Sequence, residues 1–394
     1  MHTNWLSWFE KQSRLTQAKG LQRNIEVNPN EMTSAKNGVN QYIDLTSNDY
    51  LGLTFNKDIL SAMTSDAITK VGAGAARLAG GTYESHMMLE NMLSEFHGRQ
   101  AALTFTSGYM ANVGAISALV GKDDAVVSDK LNHASIIDGV LLSKAKHYRY
   151  RHLDMVDLQQ KLEIAVTKHQ KILIISESIF SMDGDLAPLR EIVDLKNRYG
   201  ALLYLDEAHS IGVRGRKGAG LANELGVENQ VEIIMATFGK AYGSFGSYLV
   251  ADDVIVSHLI NHCRTFIFST AMPYPNTVAN IAALKVVQKA SEARTQLART
   301  SQYMRDRLRS TEIDILQSSS HIIPIVLGSN ESALKIKKIL SEQGILVNAI
   351  RPPTVPAGTS RLRLSLSAGY DEEDMDIVLS HLLPLLKSHG KVSA

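Results

Sequence analysis

Leu202-Leu203-Tyr204-Leu205-Asp206-Glu207-Ala208-His209 is the stretch on which the fold turns. Four apolar or aromatic residues in a row suit a strand buried on both faces, and an aspartate closes it. In a sheet covered by helices on both sides, ligands gather beyond the carboxyl ends of the strands. Asp206 therefore stands where a ligand would meet it. A carboxylate there needs a positive partner, because burying it alone costs several kcal/mol. The protonated nitrogen of a pyridinium ring is one such partner. Taken alone, the stretch fits a helix-capping aspartate equally well, and it offers a metal no second His or Cys at ligand spacing.

Outward from this strand the same pattern repeats. Apolar runs at 101–106, 125–128, 172–176, 233–237 and 247–250 alternate with amphipathic segments such as 109–120, 155–168 and 189–199. This alternation predicts an α/β domain with a mostly parallel sheet. After about residue 275 the pattern changes. It predicts a long helix at 280–309, a strand at 322–327, a helix at 331–343, strands at 346–350 and 361–367, and a last helix at 374–387. The expected organisation is an arm at 1–48, a large domain at 49–279 and a small α+β domain at 280–394. Trp5, Trp8 and Phe9 fall at helical spacing, as in an amphipathic arm that docks.

Composition removes several function classes. The 394 residues carry 41 Lys+Arg against 40 Asp+Glu, so no basic surplus favours nucleic acid or an anionic membrane. No apolar run approaches the roughly 20 residues of a membrane span, and the first residues lack a signal-peptide pattern, so a cytoplasmic protein is expected. A single cysteine, Cys263, excludes an internal disulfide and a Cys-rich metal site.

Two further stretches bear on chemistry. In Ile233-Ile-Met-Ala-Thr237-Phe-Gly-Lys240-Ala-Tyr-Gly243, a lysine follows a buried strand and lies among small residues that leave room for a ligand. A lysine held there can lose its proton and form a Schiff base, whereas an ordinary lysine is a solvated charge. Thr104-Phe-Thr-Ser107-Gly108-Tyr109 runs from strand into helix, and Ser-Gly there leaves N–H groups for an anion or serves as a plain N-cap. No Gly-x-x-x-x-Gly-Lys-Ser/Thr loop exists, and Gly72-Ala-Gly74 has Arg77 where a third dinucleotide-binding glycine belongs. An aspartate, a lysine and a helix amino terminus at three strand ends are what pyridoxal phosphate requires. Near the carboxyl end, Arg361-Leu-Arg-Leu-Ser-Leu-Ser367 alternates strictly. Arg361, Arg363 and Ser365 share one face, with the two arginines about 6.8 Å apart, which suits either a carboxylate site or a solvated edge strand.

Together, Ser47-Asn48-Asp-Tyr50-Leu-Gly, Phe180-Ser181-Met-Asp-Gly, Asp206-Glu-Ala-His209, Thr237-Phe-Gly-Lys240 and Arg361-Leu-Arg363-Leu resemble the α-oxoamine synthases. The likeness runs from about residue 20 to 390. It implies a fold-type-I pyridoxal-phosphate transferase, aspartate-aminotransferase-like, that condenses an amino acid with an acyl-CoA and releases carbon dioxide. The segment Ala349-Ile-Arg351-Pro-Pro-Thr-Val-Pro356 points to the members that join L-alanine to a pimeloyl thioester. Glycine-using members and a non-catalytic cofactor-binding relative are the alternatives.

Position by position, the resemblance implies that Lys240 bonds the cofactor's aldehyde and moves the Cα proton. Asp206 would pair with the ring nitrogen, His209 would bond the phenolic oxygen and His133 would stack on the ring. Gly108, Tyr109 and Thr237 would hold the phosphate, Ser181 would lie near the ring, and Thr270 would reach the phosphate of a partner subunit. That last role implies a homodimer with its sites at the interface. Arg363 and Asn48 would grip the amino-acid carboxylate, with Arg351 as a further active-site arginine and Arg23 facing the far carboxylate of the acyl chain.

Overall fold

The computed structural model describes residues 4–28, 42–65 and 68–388. Its strands, in chain order, are β1 (Ile43–Asp44), β2 (Ala101–Phe105), β3 (Ala125–Asp129), β4 (Lys146–Tyr150), β5 (Ile172–Glu177), β6 (Leu202–Asp206), β7 (Ile233–Thr237), β8 (Ser247–Ala251), β9 (Ile322–Gly328), β10 (Ile345–Leu346), β11 (Asn348–Ile350) and β12 (Ser360–Ser365). The chain divides into two compact units. One is formed by 48–181 and 185–297, the other by the described residues of 1–47, 182–184 and 298–394.

The first unit is built on a seven-stranded sheet in the order β2-β8-β7-β6-β5-β3-β4. Strands β7, β6, β5, β3 and β4 run parallel, while β8 is antiparallel to both β7 and β2. The apolar runs of the sequence fall on these strands because both sheet faces are covered: every residue of β3, β5, β7 and β8 is buried. Helices Gly108–Leu119 and Ala134–Ser143 pack together over one face, with Ala111, Ala115, Ile116, Ile136 and Val140 in the core. The strand β4 escaped the sequence reading. It lies at the sheet edge, paired only with β3, so Lys146 and Arg149 stay exposed and its residues carry no apolar run.

The single helix expected at 280–309 is two, Tyr274–Lys289 and Ser291–Arg309. The first begins early because Pro275 suits the first helical turn. It ends at Ala290, where the Arg294 side chain takes the carbonyl of Val287 at 2.7 Å and satisfies a terminal acceptor.

In the second unit β12 is the centre of a three-stranded antiparallel sheet, between β11 and β9. The strand expected at 346–350 divides around Val347 because its halves find different partners. Ile345 and Leu346 pair in parallel with Ile43 and Asp44, whereas Asn348–Ile350 pair with β12. Arg361 and Arg363 are therefore both buried, and the solvated-edge alternative is overturned. Arg361 bonds the carboxylate of Asp183, so its carboxylate comes from the protein itself. The amino-terminal helix Trp5–Ala18 is capped by Asn4, whose side chain accepts from Leu6 N at 3.1 Å, and Trp5, Trp8 and Phe9 are exposed.

Candidate active site

At the carboxyl ends of the parallel strands lies a cavity of about 250 Å³. Asp206 reaches it from the end of β6, and Thr237 from the end of β7 with Lys240 in the turn beyond. Ser107, Gly108 and Tyr109 reach it from the start of the helix after β2. Seven of the residues assigned from sequence thus share one site: Gly108, Tyr109, His133, Asp206, His209, Thr237 and Lys240. Tyr109 also donates its hydroxyl to Asp138.

Asp206 is buried, and its two donors are neutral. Asn112 Nδ2 donates to Oδ2 at 2.9 Å, and the Ala208 amide to Oδ1 at 2.9 Å. A buried carboxylate with neutral donors still calls for a cation, which a pyridinium nitrogen would supply. Lys240 Nζ stands 3.0 Å from His209 Nε2, and His209 Nδ1 stands 2.6 Å from the Tyr50 hydroxyl. Tyr50 in turn donates to Asn48 Oδ1 at 3.0 Å, which connects Asn48 to the lysine through two side chains.

The corner of the cavity formed by Ser107, Gly108 and Thr237 suits a phosphate. Ser107 caps the helix, accepting from Met110 N at 3.2 Å, and first-turn N–H groups have no acceptor within their own helix. A Cβ on Gly108 would lie 2.9 Å from Thr237 Cγ2, so only glycine leaves this corner open. Thr237 Oγ1 is buried without a hydrogen-bond partner among the described residues, an arrangement that costs free energy unless a ligand satisfies it. The orphaned hydroxyl, the glycine corner and the carboxylate fit pyridoxal phosphate.

Of the lining residues that the sequence does not single out, three make polar contacts to Asp206 or His133. Asn112 sits one helical turn beyond Gly108, and its Oδ1 accepts from Tyr204 at 2.8 Å while its amide reaches both Asp206 and Ser135. Ser135 Oγ lies 2.8 Å from His133 Nδ1, so a polar chain joins Asp206 to His133. Glu177 ends β5 directly beside Asp206 and accepts from His133 N at 2.5 Å. Burial, and then the charge of Asp206, hold its carboxyl well above the usual range. The signal for Glu177 was the one used for Asp206, an acid closing a buried strand. Glu207 is structural: it accepts from Leu221 N and Ala222 N at 2.9 and 2.8 Å, and burial lifts it to about 7.

The other assigned residues are not among those that line this cavity. Ser181 does not line the cavity, and exposed Thr270 borders a small crevice with Arg77 and Phe266. Arg363, Arg351 and Arg23 belong to the second unit. There Arg363 Nη1 donates to Ser365 Oγ at 2.7 Å, and Arg351 donates to the carbonyls of Gly20 and Gln22 at 2.5 and 3.2 Å. Burial lowers the pKa of Arg351, and the like charge of Arg23 lowers it further.

This fold and this cavity define a fold-type-I transferase that uses pyridoxal phosphate. The family model for aminotransferase class I and II matches residues 40–382. An 8-amino-7-oxononanoate synthase of Anaeromyxobacter dehalogenans (strain 2CP-1 / ATCC BAA-258) is 46% identical over 384 residues, covering 97% of this chain and 96% of the relative. Among solved structures, a serine palmitoyltransferase variant from S. paucimobilis with a bound PLP–myriocin aldimine has TM-score 0.91 at 29% identity, covering 98% of this chain and 100% of that one. An 8-amino-7-oxononanoate synthase from Francisella tularensis has TM-score 0.78 at 28% identity, covering 89% and 99%. The chain belongs to the class I and II aminotransferase family and, within it, to the α-oxoamine synthases, pyridoxal-phosphate-dependent acyltransferases.

Proposed function

We propose that this enzyme condenses L-alanine with pimeloyl-CoA, or another pimeloyl thioester, to give 8-amino-7-oxononanoate in biotin biosynthesis. A bond forms between alanine's α-carbon and the thioester carbonyl carbon, CoA leaves as the thiol, and the α-carboxylate leaves as carbon dioxide. The observation that carries the reading is the 46% identity, across nearly the whole length, to relatives of that name, together with Lys240, Asp206 and Thr237 in one cavity.

Pyridoxal phosphate, when bound, supplies an electron sink for negative charge at the substrate's α-carbon. Thr237, Gly108 and Tyr109 hold its phosphate, and Asp206, oriented by Asn112, keeps its ring nitrogen protonated. His133 stacks on the ring. Lys240 carries the Cα proton, and His209 fixes the amine's position at 3.0 Å while its other nitrogen is held by Tyr50. Arg363 and Asn48 bind the amino-acid carboxylate. Arg23 faces the far carboxylate of the pimeloyl chain, with Arg351 as a further active-site arginine whose pKa is lowered by burial and then by the charge of Arg23. Thr270 serves the phosphate of a second copy in a homodimer.

The deciding experiment is mass spectrometry of the product formed from alanine, glycine or serine with a panel of acyl thioesters. Product from alanine and pimeloyl-CoA is expected. A preference for glycine would move the enzyme to the glycine C-acetyltransferase or 5-aminolevulinate synthase reaction, and absence of CoA release from every pair would make it a non-catalytic relative.

A further inference from the structure

Beyond the cavity lies a largely buried cluster of one histidine and two aspartates, His152, Asp129 and Asp185. His152 follows β4 and is 16% exposed at its side chain. Its Nδ1 lies 3.0 Å from Asp129 Oδ1 and its Nε2 lies 2.8 Å from Asp185 Oδ2. A ring bonded to a carboxylate at each nitrogen is an imidazolium, since each nitrogen must donate. Burial opposes that charge, but the bonds to Asp129 and Asp185 outweigh it and raise the ring to about 10. The ring also meets Phe180 edge-on, with centroids 4.5 Å apart.

Each partner of His152 anchors a loop. Asp129 is fully buried at the end of β3, and it also accepts from Leu131 N at 2.8 Å and Leu153 N at 2.9 Å. The first bond shapes the short turn that ends at His133, and Asn132 Nδ2 secures the same turn through Ile175 O at 3.0 Å. The second holds Leu153 at φ 54°, a left-handed conformation that costs a leucine about 1 kcal/mol and persists only where its surroundings impose it. Asp185 closes the other side, its carbonyl accepting from Phe180 N at 3.1 Å.

We propose that His152 is a positioning residue: by joining Asp129 to Asp185, it sets the turn that presents His133 to the cofactor. This rests on the reading that His133 faces the cofactor ring. His152 does not itself line the cavity and acts through Asp129. Losing it frees Asp129 to relax toward water and releases Leu153 from its strained conformation, so the His133 ring loses its fixed orientation.

The test uses the full chain loaded with pyridoxal phosphate and reads the visible circular dichroism of the bound cofactor and its dissociation constant. His152→Phe keeps the contact with Phe180 but removes both ion pairs. It is expected to lose at least half of the visible dichroism and to weaken cofactor binding about tenfold, as small misplacements at a site do. In a His133→Ala background the same substitution should change neither quantity further. An unchanged dichroic band in His152→Phe, or an equal additional loss in the His133→Ala background, overturns the proposal. If His152→Phe fails to fold, His152→Gln takes the same measurements with the same criteria. Failure of both to fold makes the residue merely structural and also overturns it. His133→Ala alone reports separately on the underlying reading: unaltered dichroism there would remove His133 from the ring.

Discussion

Replacing Thr237 by valine should have opposite effects on the empty and the loaded protein. Thr237 is buried at the end of β7, its Oγ1 has no partner among the described residues, and its Cγ2 would lie 2.9 Å from a Cβ on Gly108. Valine keeps the shape and the methyl while deleting the hydroxyl. An unsatisfied buried hydroxyl costs about 1–3 kcal/mol, so the cofactor-free chain should gain roughly 1 kcal/mol. For a chain of this size that is a rise in melting temperature of about 1–3 °C. With pyridoxal phosphate present, the deleted group is a charge-assisted donor worth about 1.5–3 kcal/mol, so the cofactor should bind roughly ten- to a hundredfold more weakly. Calorimetry of the cofactor-free protein and an absorbance titration with pyridoxal phosphate measure the two arms. A variant that is less stable when empty and binds the cofactor normally would refute the argument, because the hydroxyl would then have served the protein and not the phosphate.

Lys240→Ala should abolish covalent capture of the cofactor, measured as a borohydride-stable mass increment, and a trapped adduct on the variant would displace Lys240. Arg363→Ala should weaken alanine binding roughly ten- to a hundredfold at unchanged cofactor affinity, and an unchanged alanine titration would remove Arg363 from the site. Stability should fall at both ends of the pH range. His152, raised to about 10 in the fold from about 6.5 unfolded, contributes fully below about 6.5, and that contribution drains away as pH climbs to about 10. His97, which burial and then Arg99 push down to about 3, acts in the other direction: stability drops as pH falls from about 6.5 toward 3. Each effect is on the order of a few kcal/mol, and denaturant midpoints across pH should show an alkaline loss that shrinks in His152→Gln.

Much of the site was legible because its logic is local. An acid or a lysine at the end of a buried apolar strand must stand at the sheet's ligand edge whatever the neighbouring strands are, and Asp206 and Lys240 announce themselves in this way, whereas Thr237 is reached only through the family resemblance. Where the local pattern was weak, the reading missed. The edge strand β4, Lys146-His-Tyr-Arg-Tyr150, carries no apolar run because it lies at the sheet edge with Lys146 and Arg149 exposed. The strand around Val347 looked continuous because nothing in its own residues records that its halves pair with different partners.

The sequence by itself thus determined the residues at the strand ends and the cofactor they suit, since side-chain periodicity and strand termination depend on near neighbours along the chain, and the class of enzyme followed from the resemblance of its motifs to a known family. Only the tertiary structure decided that Glu177 lies beside Asp206, that Tyr50 holds His209, and that Asp129, His152 and Asp185 meet. Those contacts join residues 23 to 159 positions apart, and sheet register and loop packing bring them together. No short-range pattern encodes register.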